Sequence, residues 1–184
     1  MHCWIGLSAW QTLTPSAIAY ETPSNISQFL EEQGTGVNFG QLLKQASERI
    51  QDDLKTTNRP SREAYESALA RRPQVGDAIA RYFEKQRIVA LAFPPIMTPP
   101  PKIGEESEVE IRGRKISLQE AIGRNIALGS CASMASLILP AGLTSNHLPV
   151  GMEFAALNGK DRELLSLGLS LEKALSPIPA PLIK

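Results

Sequence analysis

The sequence predicts an α/β protein with a helix-rich first half and, in the second half, helices packed on a mixed β-sheet. Three observations carry this expectation. Apolar residues recur at near-helical spacing from Phe39 to Leu54. Two short segments, the apolar run Ile88–Phe93 and Ser136–Pro140, read as buried strands. Strand-like and helix-like segments then alternate towards the C-terminus.

The elements follow in order. Met1 to Ser16 carries a Trp pair and a Thr-Pro but no clear period, so residues 1–19 stay unassigned. Thr22-Pro23 reads as an N-cap with proline at the first helical position, opening a helix from Ser24 to Gln33 that ends at Gly34-Thr35-Gly36. Asn38 caps a longer helix to about Lys55, with Phe39, Leu42, Leu43, Ala46, Ile50 and Leu54 as its stripe. A third helix is expected from Ser61 to Arg72, and a fourth starting at Pro73 with Val75, Ile79, Tyr82 and Phe83 inward.

The prolines at 94, 95, 99, 100 and 101 exclude helix and interior strand, so a turn follows the first strand. Glu108–Ile111 and Lys115–Leu118 form a hairpin around Arg112-Gly113-Arg114. Ser117 with Glu120 three positions on is a capping box, starting a helix to about Leu128. Ser136–Pro140 and Leu148–Phe154 are neighbouring strands across the turn Thr144–His147. A last helix, Asp161 to Leu175, places Leu164, Leu167, Gly168 and Leu171 at core spacing, and a Pro-rich tail covers 177–184.

Composition excludes several function classes. Nineteen basic and nineteen acidic side chains cancel, and no Lys/Arg block is interleaved with aromatics, so no nucleic acid partner is expected. The two cysteines, Cys3 and Cys131, make no disulfide framework and suit a cytoplasmic location. His2 and His147 are the only histidines, and no HExxH or CxxC occurs, so neither a metal nor another cofactor is expected. The N-terminus lacks the basic region and long apolar core of a signal peptide, and no run approaches the ~20 apolar residues of a membrane span.

From Ile138 onward the text becomes specific. Leu139-Pro140-Ala141-Gly142-Leu143-Thr144 precedes a short loop, then Leu148-Pro149-Val150-Gly151-Met152-Glu153-Phe154, then the Leu-rich stretch Asp161 to Glu172. Gly129-Ser130 before the strand and Leu91–Pro95 upstream add to the pattern. In order and spacing this resembles the C-terminal part of the amidase-signature fold, over about Tyr20 to Leu175. Within that family it looks most like amidases of the mandelamide and indoleacetamide hydrolase type. The resemblance implies a partial amidase-signature domain over residues 20–176.

It also implies hydrolysis of carboxamides to acid and ammonia through an acyl-enzyme, with a nucleophilic serine, a second serine in a cis peptide and a lysine base. A lysine base needs burial, because an exposed ammonium stays protonated at neutral pH. In the family those residues lie in an upstream lysine and a Gly/Ser-rich stretch, both N-terminal to the region matched. No Gly-Gly-Ser-Ser or Gly-Ser-Ser-Gly run occurs here, and no lysine has a serine cluster near it in sequence. No catalytic residue is therefore carried onto this chain, and it is expected to be inactive alone.

The resemblance assigns substrate lining instead. In the family the segment before the Pro-x-Gly strand lies near the bound acyl group, which points to Asn125, Ser130, Cys131 and Met134. Pro95, in the stretch Phe93 to Thr98, would form another wall. Many relatives have Gly at the position of Ser133 and Pro at that of Ala135, and this chain departs from both.

The residues leave other readings open. Gly142, Gly151, Pro140 and Pro149 are scaffold residues at turns and strand ends, where a missing Cβ or N–H costs least. A non-catalytic remnant binding a small molecule or a partner chain is the main alternative, and an exposed sheet edge would favour self-association. An independent nucleophile, Ser130 or Cys131 with His147 as base, is the third reading, against which stand a buried structural cysteine and a helix-end serine.

Overall fold

A computed structural model describes residues 8–54, 59–104 and 108–175. The expected Pro-rich tail, the first seven residues with His2 and Cys3, and Lys55 lie outside the described residues. The chain divides into two compact units, Met1–Gln74 and Val75–Lys184.

The first unit is helical. Helix α1 spans Ser8–Glu32, so the expected start at Pro23 is corrected to Ser8, and the helix runs through that proline. Proline removes one N–H from the helical ladder, but contacts just before Thr22-Pro23 hold the preceding turn in place. Tyr20 stacks on Tyr65 with ring centroids 4.2 Å apart, and the Tyr65 hydroxyl donates to Glu21 Oε1 at 2.5 Å. Gly34 and Gly36, at φ 59° and 69°, take the left-handed conformations that end α1.

The long helix expected after Asn38 is two short ones. Helix α2 (Phe39–Gln45) has a capping box, with Asn38 Oδ1 accepting from Gln41 N–H and Gln41 Oε1 accepting from Asn38 N–H, both at 2.9 Å. Ala46 and Ser47 then turn extended, and α3 (Glu48–Asp53) begins. The break is stabilised locally, because Gln51 Nε2 donates to the freed Ala46 carbonyl at 2.9 Å. The third and fourth helices merge into α4 (Arg62–Gln86), which contains Pro73. Ser61 caps its start, its Oγ accepting from Ala64 N–H at 3.2 Å. The boundary between units falls at Gln74/Val75, inside this helix.

In the second unit, α4 buries Val75, Ile79 and Phe83. Strand β1 is only Leu91–Phe93, shorter than the run Ile88–Phe93, and Val89 is 77% exposed. It is not buried on both faces, since Leu91 and Phe93 are half-buried and Ala92 between them is exposed, and it lies at one edge of a three-stranded sheet of order β1-β5-β4. The hairpin forms with its second strand one residue earlier than expected: β2 (Glu108–Ile111) pairs with β3 (Arg114–Ser117), with Arg114 opposite Ile111 rather than in the turn. Arg112 and Gly113 both have positive φ, 52° and 74°, as a two-residue type I′ turn requires.

Helix α5 spans Leu118–Ala132, four residues beyond the expected end, and Ser117 Oγ accepts from Glu120 N–H at 3.1 Å at its start. Strands β4 (Ala135–Leu143) and β5 (Pro149–Ala156) form the expected neighbours, and both described pairings of the sheet are antiparallel. Pro140 is not at a strand end. It lies inside β4, tolerated beside the register shift between Pro140 and Gly142 on an edge strand of the described sheet. Helix α6 (Asp161–Ala174) packs on this sheet through Leu164 and Gly168.

Candidate functional site

The second unit gathers part of the expected site around the loop after β1. Asn125, near the middle of α5, donates from Nδ2 to the Pro94 carbonyl at 2.7 Å. One turn earlier on α5, the Ala121 carbonyl accepts from Met97 N–H at 3.1 Å. These two bonds dock the Phe93–Thr98 segment on α5 and satisfy backbone groups that proline-rich sequence cannot place in a ladder.

Two clefts flank this loop. The larger, about 560 Å³, lies between the loop, α5 and the β2–β3 hairpin. Its apolar wall is Ile96, Met97, Ile111 and Ile116, and Arg112, Arg114 and Arg124 join Asn125 and Glu120 as its polar part. The smaller, about 250 Å³, lies between the loop and the start of β5, with Pro95, Val150 and Gly151 in its walls. A Cβ on Gly151 would come 2.9 Å from Ile138 Cγ2 of the neighbouring strand, so the glycine makes room for that side chain, while Pro95 Cγ of the loop, at 4.0 Å, would be in ordinary contact.

The structure therefore brings Asn125 to the Pro94-Pro95 loop, while Ser130, Cys131 and Met134 stand apart at the C-terminal end of α5 and line neither cleft. Cys131 is 1% exposed, its side chain in the core. Ser130 is exposed, its Oγ 3.5 Å from the Ile126 carbonyl. Met134 N–H closes the helix end on the Gly129 carbonyl at 3.0 Å. Between them Ser133 has φ 53° and ψ 39°, so the serine adopts the left-handed conformation that a glycine would take there. His147, offered as a base for an independent nucleophile, lies exposed in the β4–β5 turn with its N–H on the Thr144 carbonyl at 2.9 Å.

Beneath this region Glu153 of β5 is buried at 4% exposure. A Cβ on Gly129 would lie 3.7 Å from its Oε1 and 3.1 Å from Ser136 Oγ, so the small residue on α5 makes room for both. The described lysines, Lys44, Lys85, Lys102, Lys115, Lys160 and Lys173, are all exposed. Lys160 pairs with Glu163 at 2.9 Å and Lys115 with Glu108 at 3.8 Å. Among the described residues no group of three or more His, Cys, Asp and Glu is placed to hold a metal, and no helix is long and apolar enough to cross a membrane.

Sequence reasoning missed the three arginines of the larger cleft. Arg112-Gly113-Arg114 was legible as a turn, and the available signal was the register: Arg114 opposes Ile111, which puts a cation on the apolar face of the hairpin.

An antiparallel sheet packed by α6, with a proline-rich loop strapped to α5, makes an α/β scaffold, as the resemblance to the amidase-signature fold implies. Comparison with known proteins agrees, for the amidase family matches residues 8–165. The chain belongs to that family. It is 34% identical over 164 residues to an indoleacetamide hydrolase of Agrobacterium vitis, covering 85% of this chain and 35% of that protein. A crystal structure of an amidase superposes with a TM-score of 0.75 at 23% identity, over 92% of this chain and 36% of the other. A bacterial aryl acylamidase of the amidase-signature family gives 0.69 at 21% identity, over 91% and 34%. The chain thus spans about a third of the length of the curated relatives it matches, and the fold is the C-terminal part of theirs.

Proposed function

We infer that this chain is the C-terminal part of an amidase that hydrolyses aryl- or indolyl-acetamide-like carboxamides with water to a carboxylic acid and ammonia. The observation that carries this reading is the family match over residues 8–165 together with 34% identity to an indoleacetamide hydrolase. The serine–serine–lysine set of such enzymes is taken to be absent from these 184 residues. In support, every described lysine is exposed, and an exposed ammonium does not serve as a base at neutral pH.

In this reading the chain supplies pocket wall to an amide substrate. Asn125 holds the loop that presents Pro95. Ser130 and Cys131 in the last turn of α5 and Met134 just beyond it support the acyl end, Cys131 by packing rather than by contact with solvent. The protein is cytoplasmic. Self-association through the edge of β4 is part of the same reading, since Ile138 is 55% exposed there.

The test is ammonia release from indoleacetamide and mandelamide. The purified chain alone is expected to release none, and release should appear when the N-terminal part of an amidase is supplied with it. Turnover by the chain alone would overturn the assignment of the catalytic set. A non-catalytic binding module is the second reading, favoured by the 560 Å³ cleft in the second unit. Absence of turnover in the completed protein would select it.

A further inference from the structure

We propose that the cleft between the β2–β3 hairpin and α5 is a binding site for an apolar carboxylate, held by Arg112 and Arg114 over a hydrocarbon floor. The argument starts from the pleat. Residues opposite each other in an antiparallel pair share a face, so Val109, Ile111, Arg114 and Ile116 form one side of the hairpin, and Glu108, Glu110 and Lys115 the other. Val109, Ile111 and Ile116 are half-buried, the pattern of a face turned inward. Arg114 breaks that pattern with a guanidinium.

Charge points the same way. Arg124 is 3.5 Å from Glu120, one helical turn away on α5. Arg112 and Arg114 have no ion pair among the described residues, so the cleft keeps two cations in excess of its one carboxylate. Arg112 also occupies a left-handed position, φ 52°, that a type I′ turn ordinarily gives to Asn or Gly. The turn thus carries Arg112 at the cost of backbone strain that Asn or Gly would avoid.

The space and its lining set the ligand class. About 560 Å³ is in the range of small-molecule sites. Ile96, Met97, Ile111 and Ile116 offer apolar contact to a flat or aliphatic body, and guanidinium groups match a carboxylate through paired N–H donors. The proposal is independent of amide hydrolysis, because occupancy is read without turnover.

The experiment is calorimetric titration of the full chain at low salt with three probes: phenylacetate, its neutral isostere phenylacetamide, and inorganic phosphate. Phenylacetate is expected to bind at millimolar concentration or below, and each of the other two roughly tenfold more weakly. Arg112→Asn with Arg114→Gln should weaken phenylacetate by roughly tenfold or more, whereas Lys115→Gln, on the opposite face, should leave it unchanged. Asparagine at 112 keeps the left-handed turn, and the comparison of probes on the native chain stands whatever the variants do. No phenylacetate binding, equal binding of phenylacetamide or phosphate, or undiminished binding in the double variant would each overturn the proposal.

Discussion

Gly168 of α6 lies so close to Leu137 of β4 that a Cβ on the glycine would overlap the leucine Cδ2. Cδ2 is the far end of a flexible side chain, so Leu137 can swing away from a single methyl, and alanine also gains about 1 kcal/mol of helix propensity over glycine. Gly168→Ala is therefore expected to be near neutral. Gly168→Val adds two γ-methyls that the helix–strand contact cannot accommodate, and it should cost about 1–3 kcal/mol. Thermal melting followed by circular dichroism checks the contrast, and a Val variant as stable as the Ala variant would remove the contact from the account.

How much of this architecture was legible follows from the range of the determining interactions. Asn38, Ser117 and Arg112-Gly113 act within three residues: the first two serve as N-caps and the third as a turn, although Ser117 caps through its own oxygen alone and the turn is one residue shorter than expected. Pro23 and Pro73 were misread as helix starts. What overrides Pro23 is the contact of Tyr20 and Glu21 with Tyr65, a pairing of distant residues that no local pattern reveals. The same holds at the site. Asn125 and the proline loop were singled out from the family pattern, but their hydrogen bond spans 31 positions, and the arginine face of the hairpin emerges only once the register is known.

The Glu21–Tyr65 contact makes the first unit sensitive to alkali. The hydrogen bond to Glu21 is the largest cause raising the Tyr65 phenol above its ordinary value near 10. A raised folded pKa means the unfolded chain loses the proton first. The contribution is thus fully present below about pH 10 and is lost as pH rises through the folded pKa. Phenolate absorbance should show Tyr65 titrating above an ordinary tyrosine, and Glu21→Gln should lower its midpoint. An unchanged midpoint in Glu21→Gln would assign the shift to another cause.

Glu153 gives a prediction of opposite kind. Its side chain is 4% exposed and has no hydrogen bond or ion pair among the described residues. A buried carboxylate without a partner costs more than the neutral amide of the same shape. Glu153→Gln is accordingly expected to raise stability at neutral pH by roughly 1 kcal/mol or more, read as a higher urea midpoint with unchanged slope. A lower midpoint would show that the carboxylate does have a favourable partner in the folded chain.

Ser133 joins α5 to β4 with φ 53°, and both its own N–H and that of Met134 point to the Gly129 carbonyl. A residue with a Cβ is strained by about 1–2 kcal/mol in this left-handed conformation. Glycine would remove the strain but gives the unfolded chain more freedom, which returns about 0.4–1 kcal/mol. Ser133→Gly should therefore gain about 0.5–1 kcal/mol. Arg87, at φ 53° where α4 ends, with Ile88 N–H on the Phe83 carbonyl at 3.2 Å, shares the left-handed φ and the closing bond from the next residue, and it should respond alike. Because the sites are independent helix ends, the two gains should add in the double variant. Urea unfolding of both single variants and the double variant measures this. A loss on Ser133→Gly alone, with the Arg87 gain intact, would mean that the serine side chain holds the end of α5 through contacts of its own.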